Sequence, residues 1–222
     1  MSDFVRATAL TAAYGAGHSL LAHPACKRAV RQAVGDRLYH GLYRLGYNGV
    51  AAGGLLLVLR EVARRPGPTL YHLRGPLAAL LRLLQAADVA FMVAAVHHAG
   101  FGHLSGLGNG RRLALGEPPE PLAEGQGPAP EELHTGPGEG GVGGPFRHTR
   151  NPLNAGFAAL PLLNPKMTAA GAGFALACLG YAVVGSWLSE RRLRRTYGAD
   201  FSRYQRSGPN FLLPRVRPAR VS

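Results

Sequence analysis

Met167 to Leu188 reads MTAAGAGFALACLGYAVVGSWL, 22 residues without an Asp, Glu, Lys or Arg. A helix needs about 20 such residues to cross the hydrocarbon core of a bilayer, so this stretch predicts a membrane span. On its N-terminal side Leu153–Leu163 is apolar but short and is stopped by Asn164-Pro165, while Leu83–Phe101 is long with one acid, Asp88. Leu45–Leu59 is uncharged, and Tyr39, Tyr43 and Arg44 before it suit the headgroup level. Ala7–Ala22 has no formal charge and contains His18. The reading is an all-α integral membrane bundle of about five transmembrane helices, the fourth of them short. A soluble protein with buried helices is the competing reading, because apolar stretches of about 10–14 residues are commonly core helices. The length and number of the segments favour the membrane. The first segment lacks the basic n-region and small-residue cleavage site of a signal peptide and is read as a retained helix.

The chain has 222 residues with 25 Lys and Arg against 12 Asp and Glu, a net charge of +13, yet only 17% of it is charged. A soluble domain carries about 25%. A disordered polyelectrolyte is thereby excluded, and two cysteines exclude a disulfide scaffold. The basic excess invites a nucleic-acid partner, but its distribution argues otherwise. Lys27, Arg28, Arg31 and Arg37 follow the first segment, and nine Arg lie in residues 190–222. Five crossings put both groups on one face, which the positive-inside rule makes cytoplasmic. Arg60, Arg64, Arg65 and Arg74 are the counter-signal on the opposite face. Anionic headgroups of the lipid bilayer account for the charge, and no nucleic acid is needed. The expected location is a bacterial inner membrane with the C-terminus cytoplasmic.

Three regions follow: residues 1–110 with the first three spans, an acidic Gly/Pro-rich loop over 111–143, and residues 144–222 with the last two spans and a basic end. Gly116 to Pro145 holds six acids, seven prolines, nine glycines and no Lys or Arg. Such a composition buries too little apolar surface to offset its ordering entropy. It reads as a mobile loop, either a plain tether or a lid over a ligand.

Polar groups gather beside the membrane in two blocks. The first, Gly144-Pro145-Phe146-Arg147-His148-Thr149-Arg150-Asn151-Pro152-Leu153-Asn154-Ala155-Gly156, precedes the fourth segment. Arg147 and Arg150 flank His148 in a Pro-bounded turn, where guanidinium forks suit a carboxylate or phosphate, or simply anchor a helix end. The second runs from Glu190 to Tyr204. Leu193, Tyr197, Phe201 and Tyr204 share one face of an amphipathic helix, which predicts a C-terminal helix lying on the cytoplasmic side of the bilayer. Glu190, an acid at the end of an apolar span, needs a partner, and Arg194 is one turn on. A hairpin of the last two segments brings both blocks to one side.

These blocks resemble the integral-membrane methyltransferases of the isoprenylcysteine carboxyl methyltransferase superfamily, whose pattern is G-P-Y/F-x-x-x-R-H-P-x-Y/M-x-G, an apolar hairpin, then E-E-x-x-L-x-x-x-F/Y-G-x-x-Y-x-x-Y and a Pro-containing end. Gly144, Pro145, Phe146, Arg150, Pro152, Gly156, Glu190, Leu193, Tyr197, Gly198, Tyr204 and Pro214 fit it in order and spacing. Asn164-Pro165-Lys166-Met167-Thr168 and Gly15 to Ala22 (GAGHSLLA) are similar to the branch of methanethiol S-methyltransferases and NnrU-like proteins. Asn151 stands where the pattern has His, Asn154 where it has Tyr or Met, Ser189 for the first Glu and Phe201 for the first Tyr.

The resemblance implies direct methyl transfer from S-adenosylmethionine, with the enzyme orienting cofactor and acceptor and excluding water. On that basis Glu190 and Arg150 are the expected catalytic residues. Arg147, His148, Arg150, Asn151, Pro152, Gly156, Tyr197 and Tyr204 are the expected cofactor-binding residues, and no metal is assigned. In prenylcysteine-directed relatives an Arg lies five residues before the Glu corresponding to Glu190. Gly185 is at that position here, with only the neutral donors Ser186 and Trp187 nearby. A small thiol or a lipophilic acceptor is therefore expected rather than a prenylcysteine carboxylate. NnrU-like proteins include a haem-dependent carotenoid isomerase, and His18, His97 and His98 lie in apolar segments where imidazole can ligate iron. A haem protein, or a non-catalytic membrane protein, is the alternative.

Overall fold

A computed structural model describes residues 1–122, 144–206 and 210–215. Helix α1 (Asp3–Ala22) starts at Ser2, whose hydroxyl accepts from the Val5 N–H at 3.3 Å. His23 ends it and caps α2 (Pro24–Arg64), accepting from the Ala25 N–H, with Pro24 supplying the fixed φ of a first turn. Gly35, at φ 79° and ψ 162°, breaks α2 into a short limb and a long one. Strand β1 (Thr69–His72) leads to α3 (Gly75–His98), then to the short α4 (Phe101–Ser105) and α5 (Leu107–Ala114). A single 3-10 turn (Gly144–Arg147) precedes α6 (Pro152–Leu162), β2 (Lys166–Thr168) and α7 (Ala169–Arg206).

Among the described residues, α1, the long limb of α2, α3, α6 and α7 run between two ends of the bundle. At one end Arg6 of α1 donates to the Arg65 carbonyl at 3.0 Å, and β1 pairs antiparallel with β2. The Leu73 N–H there donates to the Pro165 carbonyl. At the other end Arg192 of α7 donates to the Ala22 carbonyl, and Asn48 of α2 donates to the Leu104 carbonyl beside α4. Both sequence blocks lie at this second end.

Among the described residues, three helices, α2, α3 and α7, are long and apolar enough to cross a membrane. Their outward residues bear this out: Leu56, Leu83 and Val93 are 66%, 67% and 63% exposed, an apolar surface that water does not favour. The protein is accordingly a membrane protein, with α1 and α6 beside these three. Small residues let the backbones approach. A Cβ at Gly173 would overlap the Phe4 carbonyl, and one at Gly15 would sit 2.7 Å from the Tyr181 ring.

Three details go beyond the sequence reading. The β1–β2 pair was not expected, because each strand is only three or four residues long. Tyr39 is buried and packs its ring 4.9 Å from that of Tyr43, whose hydroxyl donates to the Leu21 carbonyl, so both rings are tied into the protein. Within the expected loop over 111–143, α5 extends to Ala114. The following turn is held by Arg112 on Glu120 at 3.1 Å and by reciprocal Asn109–Glu120 bonds. Residues 123–143, with the rest of that expectation, lie outside the described residues.

Candidate functional site

The first block turns tightly because Pro145 accepts from both the His148 and Thr149 N–H groups, and Pro152 then opens α6. Against this turn lies the segment 210–215. The Arg150 N–H donates to the Asn210 carbonyl, and the Arg215 N–H donates to the His148 carbonyl. Thr149 is fully buried and donates to the Phe211 carbonyl. His148 is held through Nδ1 on the Arg215 carbonyl at 2.7 Å and meets the Phe91 ring edge-on.

The second block meets the first through Glu190, which is 7% exposed. Its Oε1 accepts from Arg150 Nε at 2.7 Å and from Asn151 Nδ2 at 3.1 Å, and its Oε2 accepts from Gln205 Nε2 at 2.7 Å. Asn151 also donates to the Phe211 carbonyl. The carboxylate thus bonds three side chains, and Arg194, the partner expected one turn on, donates to Gln205 instead. The reason is Gly198. Its φ of 52° and ψ of −115° break α7, so the chain reverses and brings Gln205 back over Glu190. The expected continuous helix on the bilayer is therefore two limbs. Leu193 and Tyr197 from one, and Phe201 and Tyr204 from the other, enclose Phe146 and Ala95. The shared apolar face is buried in protein. Tyr204 donates to the Phe146 carbonyl at 2.9 Å, and burial raises its pKa above the usual tyrosine value.

Beside this collar lies a cavity of about 760 Å³ between α1, α2, α3, α6 and α7, within the usual range for a small-molecule site. Asn154, Ser189 and Arg191 connect it to the two blocks. Lys27, Arg44, Arg191, Arg192 and Arg195 line it, with no Asp or Glu among the described lining residues. Farther in, Tyr14, His18, Tyr47 and Tyr181 form the wall, and Gly185 is part of it.

The sequence-predicted residues are brought together, but in a different relation to this space. Arg147, His148, Arg150, Asn151, Pro152, Gly156, Glu190, Tyr197 and Tyr204 form or adjoin the collar, and none of them lines the cavity. Gly156 is a close-packing position, since a Cβ there would overlap Met92 of α3. Arg147 keeps its buried Nε without a hydrogen-bond partner among the described residues. His97 and His98 adjoin at the end of α3, their rings 6.0 Å apart, and His98 Nδ1 is bonded to the Ala94 carbonyl. No group of three or more metal-ligating side chains occurs among the described residues. Tyr14, Tyr47 and Tyr181 were missed as site residues. Their signal is a polar group inside an apolar segment. Comparison with family models, curated proteins and solved structures gave no match.

Proposed function

We propose that this protein transfers a methyl group from S-adenosylmethionine to a small thiol or lipophilic acceptor at the cytoplasmic face of a membrane, as a bundle with five crossings. One observation carries the reading: residues 144–156 and 190–204 close on each other through Arg150, Asn151 and Glu190, beside a cavity of about 760 Å³.

The residues present suit the cofactor. The described cavity wall supplies cations without acids, a donor set for the cofactor's carboxylate. The faces of Tyr43, Tyr47 and Phe157 on that wall suit a sulfonium. When bound, S-adenosylmethionine supplies an electrophilic methyl group, so the chain's own work is to bind, orient and exclude water. Arg191 and Arg195, on the cavity wall, bind. Arg150, Asn151 and Glu190 act as positioning residues, locking the start of α6 to α7 so that Asn154 and Ser189 are fixed on the wall. Asn154 is set further by its bond to Ser186 at 2.8 Å.

The test is binding of S-adenosylmethionine to the detergent-solubilised protein by calorimetry. Saturable binding is expected. No binding, with a Soret band in the purified protein, would favour the haem reading instead.

A further inference from the structure

The inner end of the cavity holds a polar cluster that the collar does not use. Tyr47 and His18 share a short hydrogen bond, hydroxyl to Nε2 at 2.6 Å, and their rings lie 4.8 Å apart. Tyr14 and Tyr181 stand on either side, each with its ring 6.0 Å from that of His18. These hydroxyls are not equivalent. Tyr14 donates to the Ala51 carbonyl at 3.0 Å, and Tyr181 is hydrogen-bonded to Ser19. Tyr47 is bonded to an imidazole, a group able to take a proton. His18 Nδ1 is buried without a partner among the described residues, so the Tyr47 bond is what orients the ring.

We infer that Tyr47, backed by His18, accepts the proton of a thiol bound at the inner end of the cavity. This rests on the methyl-transfer reading for the reaction it serves. The acceptor's S–H bond breaks, its proton goes to the Tyr47 oxygen, and the Tyr47 proton passes to His18 Nε2. The electron pair left on sulfur forms the new S–CH₃ bond, and the pair of the broken methyl–sulfonium bond stays with S-adenosylhomocysteine. His18 becomes an imidazolium whose Nε2–H donates back to Tyr47, and it releases its proton when the product leaves. Tyr47 touches the acceptor, while His18 acts through it and is a positioning and proton-holding residue. A thiol suits this place because the inner wall offers hydroxyls and rings, and Arg192 is the cation that bears on Tyr47 there.

The titratable and charged groups that bear on the pair are Tyr14 on α1, Tyr43 on α2, and Tyr181 and Arg192 on α7. The experiment uses the purified full chain in detergent with benzyl mercaptan as probe, without cofactor. The thiolate band of the bound probe is followed against pH for wild type, Tyr47→Phe and His18→Gln. The expected result is that wild type moves thiolate formation down by about one pH unit, a tenfold gain, and that both variants abolish the shift. Methyl transfer to the same thiol should show the same displacement of its pH profile. Tyr47→Phe removes a single oxygen and keeps the ring, so it decides the matter if His18→Gln fails to accumulate. A wild type without the shift, or variants that keep it, overturns the inference. S-adenosylmethionine binding is measured on the same samples. Its absence would overturn the methyl-transfer reading, while the thiol titration still decides the proton-accepting pair.

Discussion

Glu190 and Arg150 lie forty positions apart and meet with Nε and Oε1 2.7 Å apart, their side chains 9% and 15% exposed. This ion pair joins the end of the last long helix to the turn before α6. Removing one partner leaves a buried charge uncompensated, at a cost of about 3–5 kcal/mol, whereas replacing both with apolar side chains is far milder. Glu190→Ala and Arg150→Ala should each lower thermal stability in detergent and methyl transfer together, and Arg150→Met/Glu190→Leu should recover most of the stability. Equal losses for the single and double variants in thermal unfolding would contradict the pairing.

Tyr204→Phe leaves the Phe146 carbonyl buried and unpaired, a cost of about 1–3 kcal/mol. The same residue gives a pH signature. Burial raises its folded-state pKa, so its contribution is fully present below the ordinary tyrosine value of about 10 and is lost as pH rises beyond it. Unfolding midpoints taken from pH 8 upward should fall more steeply for wild type than for Tyr204→Phe.

Gly156→Val should separate α3 from α6, because a side chain there overlaps Met92. Met92→Ala makes room for it, so the double variant should regain part of the stability lost by Gly156→Val alone. Melting of the four proteins in a double-mutant cycle reads the coupling.

Orientation is tested with reporter tags. Both sequence blocks occupy one end of the bundle, and on the proposed methyl-transfer reading S-adenosylmethionine reaches that end from the cytosol. The N-terminus is expected outside and the C-terminus cytoplasmic. A C-terminal tag found outside the cell is incompatible with a cytosolic cofactor.

For the acceptor, a labelled-methyl assay should transfer to a small thiol and give little ester on farnesylcysteine, since Gly185 contributes no guanidinium of its own to the wall. Robust ester formation would reverse that assignment.

The helices were legible because each is an apolar run between polar stops: Met167 to Leu188 became the body of α7, and Asn164-Pro165 ended the short segment as read. The meeting of the two blocks was legible too, since a hairpin of the last two segments returns them to one end. Glu190 was misread in its partner because a rule about neighbours one helical turn apart competes poorly with a long-range pair closed by a chain reversal. Spacing of Leu193, Tyr197, Phe201 and Tyr204 fits a continuous helix as well as two limbs, and Gly198 was the one residue able to tell them apart. The cavity wall was hidden for another reason. Tyr14, Tyr47 and Tyr181 come from three distant segments, and only packing reveals that they converge.

The packing of α1 on α7 constrains how the protein is made. Gly15 receives the ring of Tyr181, which the ribosome adds 166 residues later. At about 5–20 residues per second of synthesis, the first helix waits on the order of ten to thirty seconds in the bilayer with its small-residue groove vacant. The contact between α1 and α7 is therefore closed only when the last long helix has been made, and until then the groove at Gly15 faces whatever surrounds the first helix.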